Sequence, residues 1–122
     1  MANLLIVDDE QSMRQLLMLF FKKAGYQTRA AANGEQALEM LRLEPADIIL
    51  SDVKMPDMGG IEPLQSARAM LPDVGVVMMT AFATINSARD AFKLGADDFL
   101  QKPFDMEELK VIIAKVCERL DL

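Results

Sequence analysis

Residues 3–25, NLLIVDDEQSMRQLLMLFFKKAG, carry one complete unit of the fold: an apolar run, an acidic turn, an amphipathic helix and a glycine stop. Leu4-Leu5-Ile6-Val7 has the length and branching of a strand buried on both faces. The spacing of Met13, Leu16, Leu17, Phe20 and Ala24 predicts a helix over 11–24, with Gly25 as its left-handed C-terminal cap. The pattern then repeats. Further strands are expected near 27–31, 47–51, 74–79 and 97–101, and further helices near 34–43, 60–70, 84–94 and from 106 on. The segment 27–31 is short and polar enough for an edge, whereas 47–51 is uniformly apolar and therefore central. Alternating strands and helices predict an α/β fold: a doubly wound parallel sheet of five strands in the order 2-1-3-4-5, with five helices.

Local signals sharpen three of the helices. Pro63 forfeits an amide and is tolerable only in a first turn, which starts the third helix at Gly60 or close by. The helix over 84–94, opened by Thr84 and closed by Gly95, has the thinnest apolar face, little more than Ile85, Ala88 and Phe92. The last helix opens on Asp105 and Glu108 as cap and capping box, then buries Leu109, Ile112, Ile113, Val116 and Leu120.

Composition narrows the function. The chain has 122 residues, expected to form a single domain over 1–122, and is 52% hydrophobic and 26% charged. A net charge of −6 argues against binding a phosphate backbone through a basic face. The apolar runs are too short for a membrane span, and Met1-Ala2-Asn3 has no basic leader, so a cytoplasmic location is expected. Histidine is absent, which removes the usual general base and the commonest transition-metal ligand. Cys117 is the single cysteine and reads as a small hydrophobe on an amphipathic helix. Met18, Met40, Met70, Met78 and Met79 read as core filler, while Met55 and Met58 lie in the loop after Asp52.

The chemistry lies where strands stop. Asp8 and Asp9 end the first, Asp52 the third, Thr80 the fourth, and Lys102-Pro103 follows the fifth. In an open parallel sheet these carboxyl ends share one edge, the edge at which ligands bind. Each residue also has an ordinary explanation: Asp8-Asp9 as a helix cap, Asp52 as a turn residue, Thr80 as a strand former, Lys102 as a loop lysine. Together they are less ordinary. At about 4 Å and an effective dielectric near 20, each carboxylate pair repels by roughly 4 kcal/mol before screening. Cations must hold such a cluster together, and a hard divalent ion such as Mg2+ suits carboxylate and carbonyl oxygens. A metal beside a carboxylate nucleophile is an arrangement for accepting a phosphoryl group. A cis bond before Pro103 is expected to aim the ammonium of Lys102 into the crevice.

These residues resemble the receiver domains of bacterial two-component response regulators, flavodoxin-like proteins, along essentially the whole chain. The resemblance is carried by Val7-Asp8-Asp9, Asp52-Val53-Lys54-Met55-Pro56-Asp57-Met58-Gly59-Gly60, Thr80-Ala81 and Lys102-Pro103-Phe104. Residues 80–84 and 95–104 look most like the nitrogen-regulation class of sigma-54-dependent activators. The resemblance implies that Asp52 is the phosphoacceptor, that Asp8 and Asp9 join it in holding Mg2+, and that the backbone carbonyl of Lys54 is a further ligand. Thr80 and Lys102 would then contact the phosphoryl oxygens, and Phe99 falls at the position of the switch aromatic.

The expected function is a phosphorylation-controlled switch, not a turnover enzyme. A sensor histidine kinase donates to Asp52, and the surface of the helix over 84–94, the fifth strand and the last helix carries the output, with homodimerisation on phosphorylation and control of transcription. A phosphohydrolase working through an aspartyl phosphate is the rival from another class. Enzymes of the haloacid-dehalogenase type place a second acid two residues after the nucleophile, and here that position is Lys54.

Overall fold

The computed structural model describes residues 2–52, 61–80 and 96–122, with residues 61–65 described in backbone only. Five strands, β1 (Asn3–Val7), β2 (Gln27–Ala31), β3 (Ile48–Asp52), β4 (Gly75–Thr80) and β5 (Asp98–Gln101), form one sheet in the order β2-β1-β3-β4-β5. All four pairings are parallel. Four helices lie among the described residues: α1 (Gln11–Lys23), α2 (Gly34–Leu43), α3 (Ile61–Met70) and α4 (Met106–Arg119). The expected fold is the observed one. The helix expected over 84–94, together with Lys54, Met55 and Met58, lies outside the described residues. Pro63 falls in the first turn of α3, where its missing amide is harmless.

Strand alternation builds two cores. Leu4 and Ile6 point to the side where Leu17 and Phe21 of α1 and Leu109, Ile113 and Val116 of α4 pack. Leu5 and Val7 point to the other side, against Ala37 and Leu41 of α2 and Ala67 of α3. A strand buried on both faces must be apolar at successive positions, which is why β1, β3 and β4 read as continuous hydrophobic runs. Met78 and Met79 are adjacent in β4 and are buried in opposite cores.

The expected apolar face of α1 holds at Leu17, Met13 and Phe20, which pack into one core, but not at Leu16 and Ala24. Leu17 and Phe21, four residues apart, are the buried pair, whereas Leu16 is 50% exposed and Ala24 lies in the open. The run Leu16-Leu17-Met18-Leu19-Phe20-Phe21 has no polar residue to mark its outer side, so spacing alone admits several faces. Both α1 and α4 end in Schellman turns. Gly25, at φ +103°, donates its amide to Lys22 O while the Tyr26 amide bonds Phe21 O, and Asp121, at φ +60°, does the same to Glu118 O while the Leu122 amide bonds Cys117 O. Opposite the functional edge, Asp97 braces the sheet. Its amide and Oδ2 pair with Val76 O and N, and its Oδ1 forms an ion pair with Arg119 of α4.

Candidate phosphoacceptor site

Sheet register carries the strand-end residues to one level. Val7 pairs with Ser51, Asp52 with Met79 and Thr80 with Gln101, so Asp8, Asp52, Thr80 and Lys102 leave the same edge. Lys102 is fixed there by its amide, which donates to Thr80 O at 2.7 Å, and its bond to Pro103 is cis. Its Nζ reaches Asp8 Oδ2 at 3.1 Å and Asp52 Oδ1 at 3.4 Å, 94 residues and 50 residues back along the chain. One carboxylate oxygen from each of Asp8, Asp9 and Asp52 lies within 4.8 Å of the other two.

The ordinary readings of these residues give way at Asp8. The N-cap of α1 is Glu10, without a side-chain cap bond. Asp8 Oδ1 accepts from the Glu10 amide at 2.9 Å, which leaves its other oxygen facing Lys102. Burial is graded across the cluster: Asp8 is buried, Asp52 intermediate and Asp9 exposed, so the group opens to solvent on one side.

Charge decides what such a cluster can hold. Burial pushes the Asp52 carboxyl above its usual range, with Asp8 and Asp9 adding to the rise and Lys102 opposing it. For Lys102 burial acts downward, but the hydrogen bond to Asp8 and the charge of Asp52 outweigh it, and the ammonium titrates above its ordinary value. Three ionised carboxylates against one ammonium leave two negative charges, the charge that one divalent ion neutralises. The donors are hard oxygens within reach of a single ion, which suits Mg2+.

Two of the remaining sequence candidates are also placed. Thr80 is 1% exposed at the end of β4. Phe99, on β5, is partly buried against the α2 and α3 side of the sheet. Sequence reasoning missed Arg14, whose Nη1 donates to the backbone carbonyl of Asp8 at 2.7 Å. Helical geometry leans such a cation back toward the N-terminus of α1, but the sequence carries no signal that its acceptor is a main-chain carbonyl.

A doubly wound parallel sheet with an acidic crevice at its carboxyl edge defines a flavodoxin-like α/β architecture. Within it, the model of the response regulator receiver domain matches residues 4–114, and the chain belongs to that family. It is 40% identical over 113 residues to Sporulation initiation phosphotransferase F of Bacillus subtilis (strain 168), covering 93% of this chain and 91% of that protein. It is 37% identical over 116 residues to Regulatory protein AtoC of Escherichia coli (strain K12), covering 95% of this chain and 25% of that protein. The transcriptional regulators ZraR and NtrC and the response regulator PilR match over similar spans, and these relatives are sigma-54 activators of the kind that residues 80–84 and 95–104 resemble. The chain thus spans about a quarter of the length of AtoC and ZraR. Chemotaxis protein CheY4 of Vibrio cholerae superposes with a TM-score of 0.88 at 33% identity, covering 95% of this chain and 98% of that one. Among the described residues, no helix is long and apolar enough to cross a membrane.

Proposed function

We propose that residues 1–122 form one receiver domain whose Asp52 accepts a phosphoryl group from a phosphohistidine on a sensor histidine kinase. The observation that carries this is the convergence of Asp8, Asp9 and Asp52 within 4.8 Å, with the ammonium of Lys102 bridging Asp8 and Asp52. Asp8, Asp9, Asp52 and the backbone carbonyl of Lys54 would hold Mg2+. Bound there, the ion supplies positive charge against the phosphoryl oxygens. Asp52 attacks as a carboxylate and needs no general base, which fits a chain without histidine. Lys102 neutralises further charge on the transferring group, and Thr80 donates its hydroxyl to a phosphoryl oxygen.

The acyl phosphate brings new charge and acceptor oxygens to the carboxyl edge of the sheet. Drawing Thr80 inward frees space that the ring of Phe99 fills, and the surface of residues 84–94, β5 and α4 changes its preferred partner. The domain promotes its own phosphorylation and dephosphorylation and does not turn over a substrate. Its output is control of transcription, with homodimerisation on phosphorylation, in the cytoplasm and without direct contact of this segment with nucleic acid or membrane. Relatives named as transcription regulators support this output.

Acetyl phosphate or phosphoramidate with Mg2+ is expected to label wild type once, and Asp52→Asn not at all. The label should be lost to hydroxylamine. A hydroxylamine-stable phosphate on serine or threonine would overturn the assignment, and steady turnover of a phosphomonoester would favour a phosphohydrolase. Phosphotransfer rates from a panel of sensor kinases identify the donor.

A further inference from the structure

The most buried carboxylate of the cluster is held by a residue outside it. Every polar atom of Asp8 is used: its amide donates to Ala31 O at 3.1 Å, Oδ1 accepts from the Glu10 amide at 2.9 Å and Oδ2 from Lys102 Nζ at 3.1 Å. The fourth contact comes from α1, where Arg14 Nη1 donates to Asp8 O at 2.7 Å. The amide of Arg14 donates in turn to Glu10 O at 3.0 Å. The guanidinium thus holds the start of the turn Asp8-Asp9-Glu10, and the first backbone bond of α1 anchors its end on the same residue. Asp9 sits exposed in the middle of that turn, and the turn's backbone sets where its carboxylate can lie. No side-chain cap at Glu10 and no acid in the first turn of α1 shares the task.

We propose that Arg14 is a positioning residue for divalent-cation binding: its guanidinium fixes the Asp8–Glu10 turn so that the carboxylates of Asp8 and Asp9 converge on that of Asp52. The proposal rests on the reading of these acids as a metal site. Two effects of Arg14 compete. As a positive charge it repels a divalent ion, and as a clamp it organises two of the ion's ligands. The clamp dominates, because the contact to the carbonyl is short and charge-assisted, whereas the longer-range field of the partly buried guanidinium still reaches water and is weakened by it. Removal of the side chain distinguishes them by sign.

The test is Mg2+ binding to the full chain by calorimetry and by amide chemical shifts, for wild type, Arg14→Met and Arg14→Lys, with a urea melt of each. Arg14→Met should bind Mg2+ about tenfold more weakly, the scale on which outer supporting contacts act on metal sites. Arg14→Lys, which keeps a donor for the carbonyl, should recover most of the loss. Equal or tighter binding by Arg14→Met overturns the proposal and leaves only charge repulsion. A fall in stability with unchanged Mg2+ affinity also overturns it, since the role would then be structural. If wild type itself binds no Mg2+, the metal-site reading falls and this proposal with it. Should Arg14→Met fail to fold, Arg14→Gln is too short to reach the carbonyl and is judged by the same affinity change.

Discussion

Lys102 is the cation on which the metal-free site depends, and Lys102→Met isolates that role because the apolar stem is nearly preserved. Its Nζ lies 3.1 Å from Asp8, whose side chain is fully buried, and 3.4 Å from Asp52. At an effective dielectric near 20, attraction at the shorter distance is roughly 5 kcal/mol. Removing the ammonium also exposes Asp8 and Asp52 to mutual repulsion within 4.8 Å, on the order of 3 kcal/mol by the same relation. Against this, methionine is spared the desolvation of a buried cation, and Asp52, already displaced upward in pKa, can take up a proton. Breaking a buried pair by removing one partner costs about 3–5 kcal/mol, and these reliefs place the net loss at ~3 kcal/mol. Urea denaturation at pH 7 in metal-free buffer should then show a midpoint lower by roughly 1–2 M. The gap should narrow in saturating Mg2+, because the ion replaces the missing charge and binds without competition from the ammonium. It should close in acid, where the carboxylates are protonated. An unchanged midpoint at pH 7, or a gap that survives acidification, would show that Lys102 does not neutralise this cluster.

Asp52→Asn should stabilise the metal-free fold at pH 7. The folded-state pKa of Asp52 lies above the ordinary carboxylate value, so its contribution is present below that value and is lost as pH rises; melts at low and neutral pH should show the gain only at the latter. Lys102 has the same sign in alkali: its folded pKa lies above 10.5, so the stability it provides should persist to that value and fall beyond it. Asp121→Gly should raise stability by about 0.5–1 kcal/mol, seen as a thermal midpoint higher by a few degrees, because Asp121 occupies a left-handed position at φ +60°. Gly75→Ala should cost about 1–3 kcal/mol in a urea melt, since its Cβ would meet Val116 Cγ1 at 2.7 Å and Leu120 Cδ1 at 3.0 Å.

What could be read from the sequence is what a short run specifies by itself. Leu4-Leu5-Ile6-Val7 and Ile48-Ile49-Leu50 have no polar side to present, so they must be inner strands of a parallel sheet, and their following acids must lie at its carboxyl edge. Pro63 and Gly25 marked helix ends through backbone chemistry, and the structure keeps both. Spacing was insufficient where several faces were equally apolar, as in α1, where Phe21 and not Leu16 turned inward. It was also silent on contacts made through the backbone. Nothing in the identity of Asp8 announces that its carbonyl will take the guanidinium of Arg14, or that Asp97 will join β4, β5 and α4. Such contacts depend on where chain direction places a main-chain oxygen, not on which side chains alternate.

The partly buried state of Phe99 bears on how a phosphoryl group would drive the proposed switch. Full burial of such a ring from water contributes about 1.5–3 kcal/mol, but Phe99 already packs against the α2 and α3 side of the sheet, so only part of that remains to be gained. A remainder near 1 kcal/mol moves a two-state population by roughly fivefold, short of the ~5.5 kcal/mol that carries it from one state to the other. The larger share must come from charge. Lys102 is tied to Asp8 and Asp52, and its amide to the carbonyl of buried Thr80, so a group that competes for the ammonium acts directly on the junction of β4 and β5. On this reading the ring reports the rearrangement and the ammonium drives it. Phe99→Leu should therefore weaken the response to beryllofluoride in amide exchange across residues 96–104, whereas Lys102→Met should remove it.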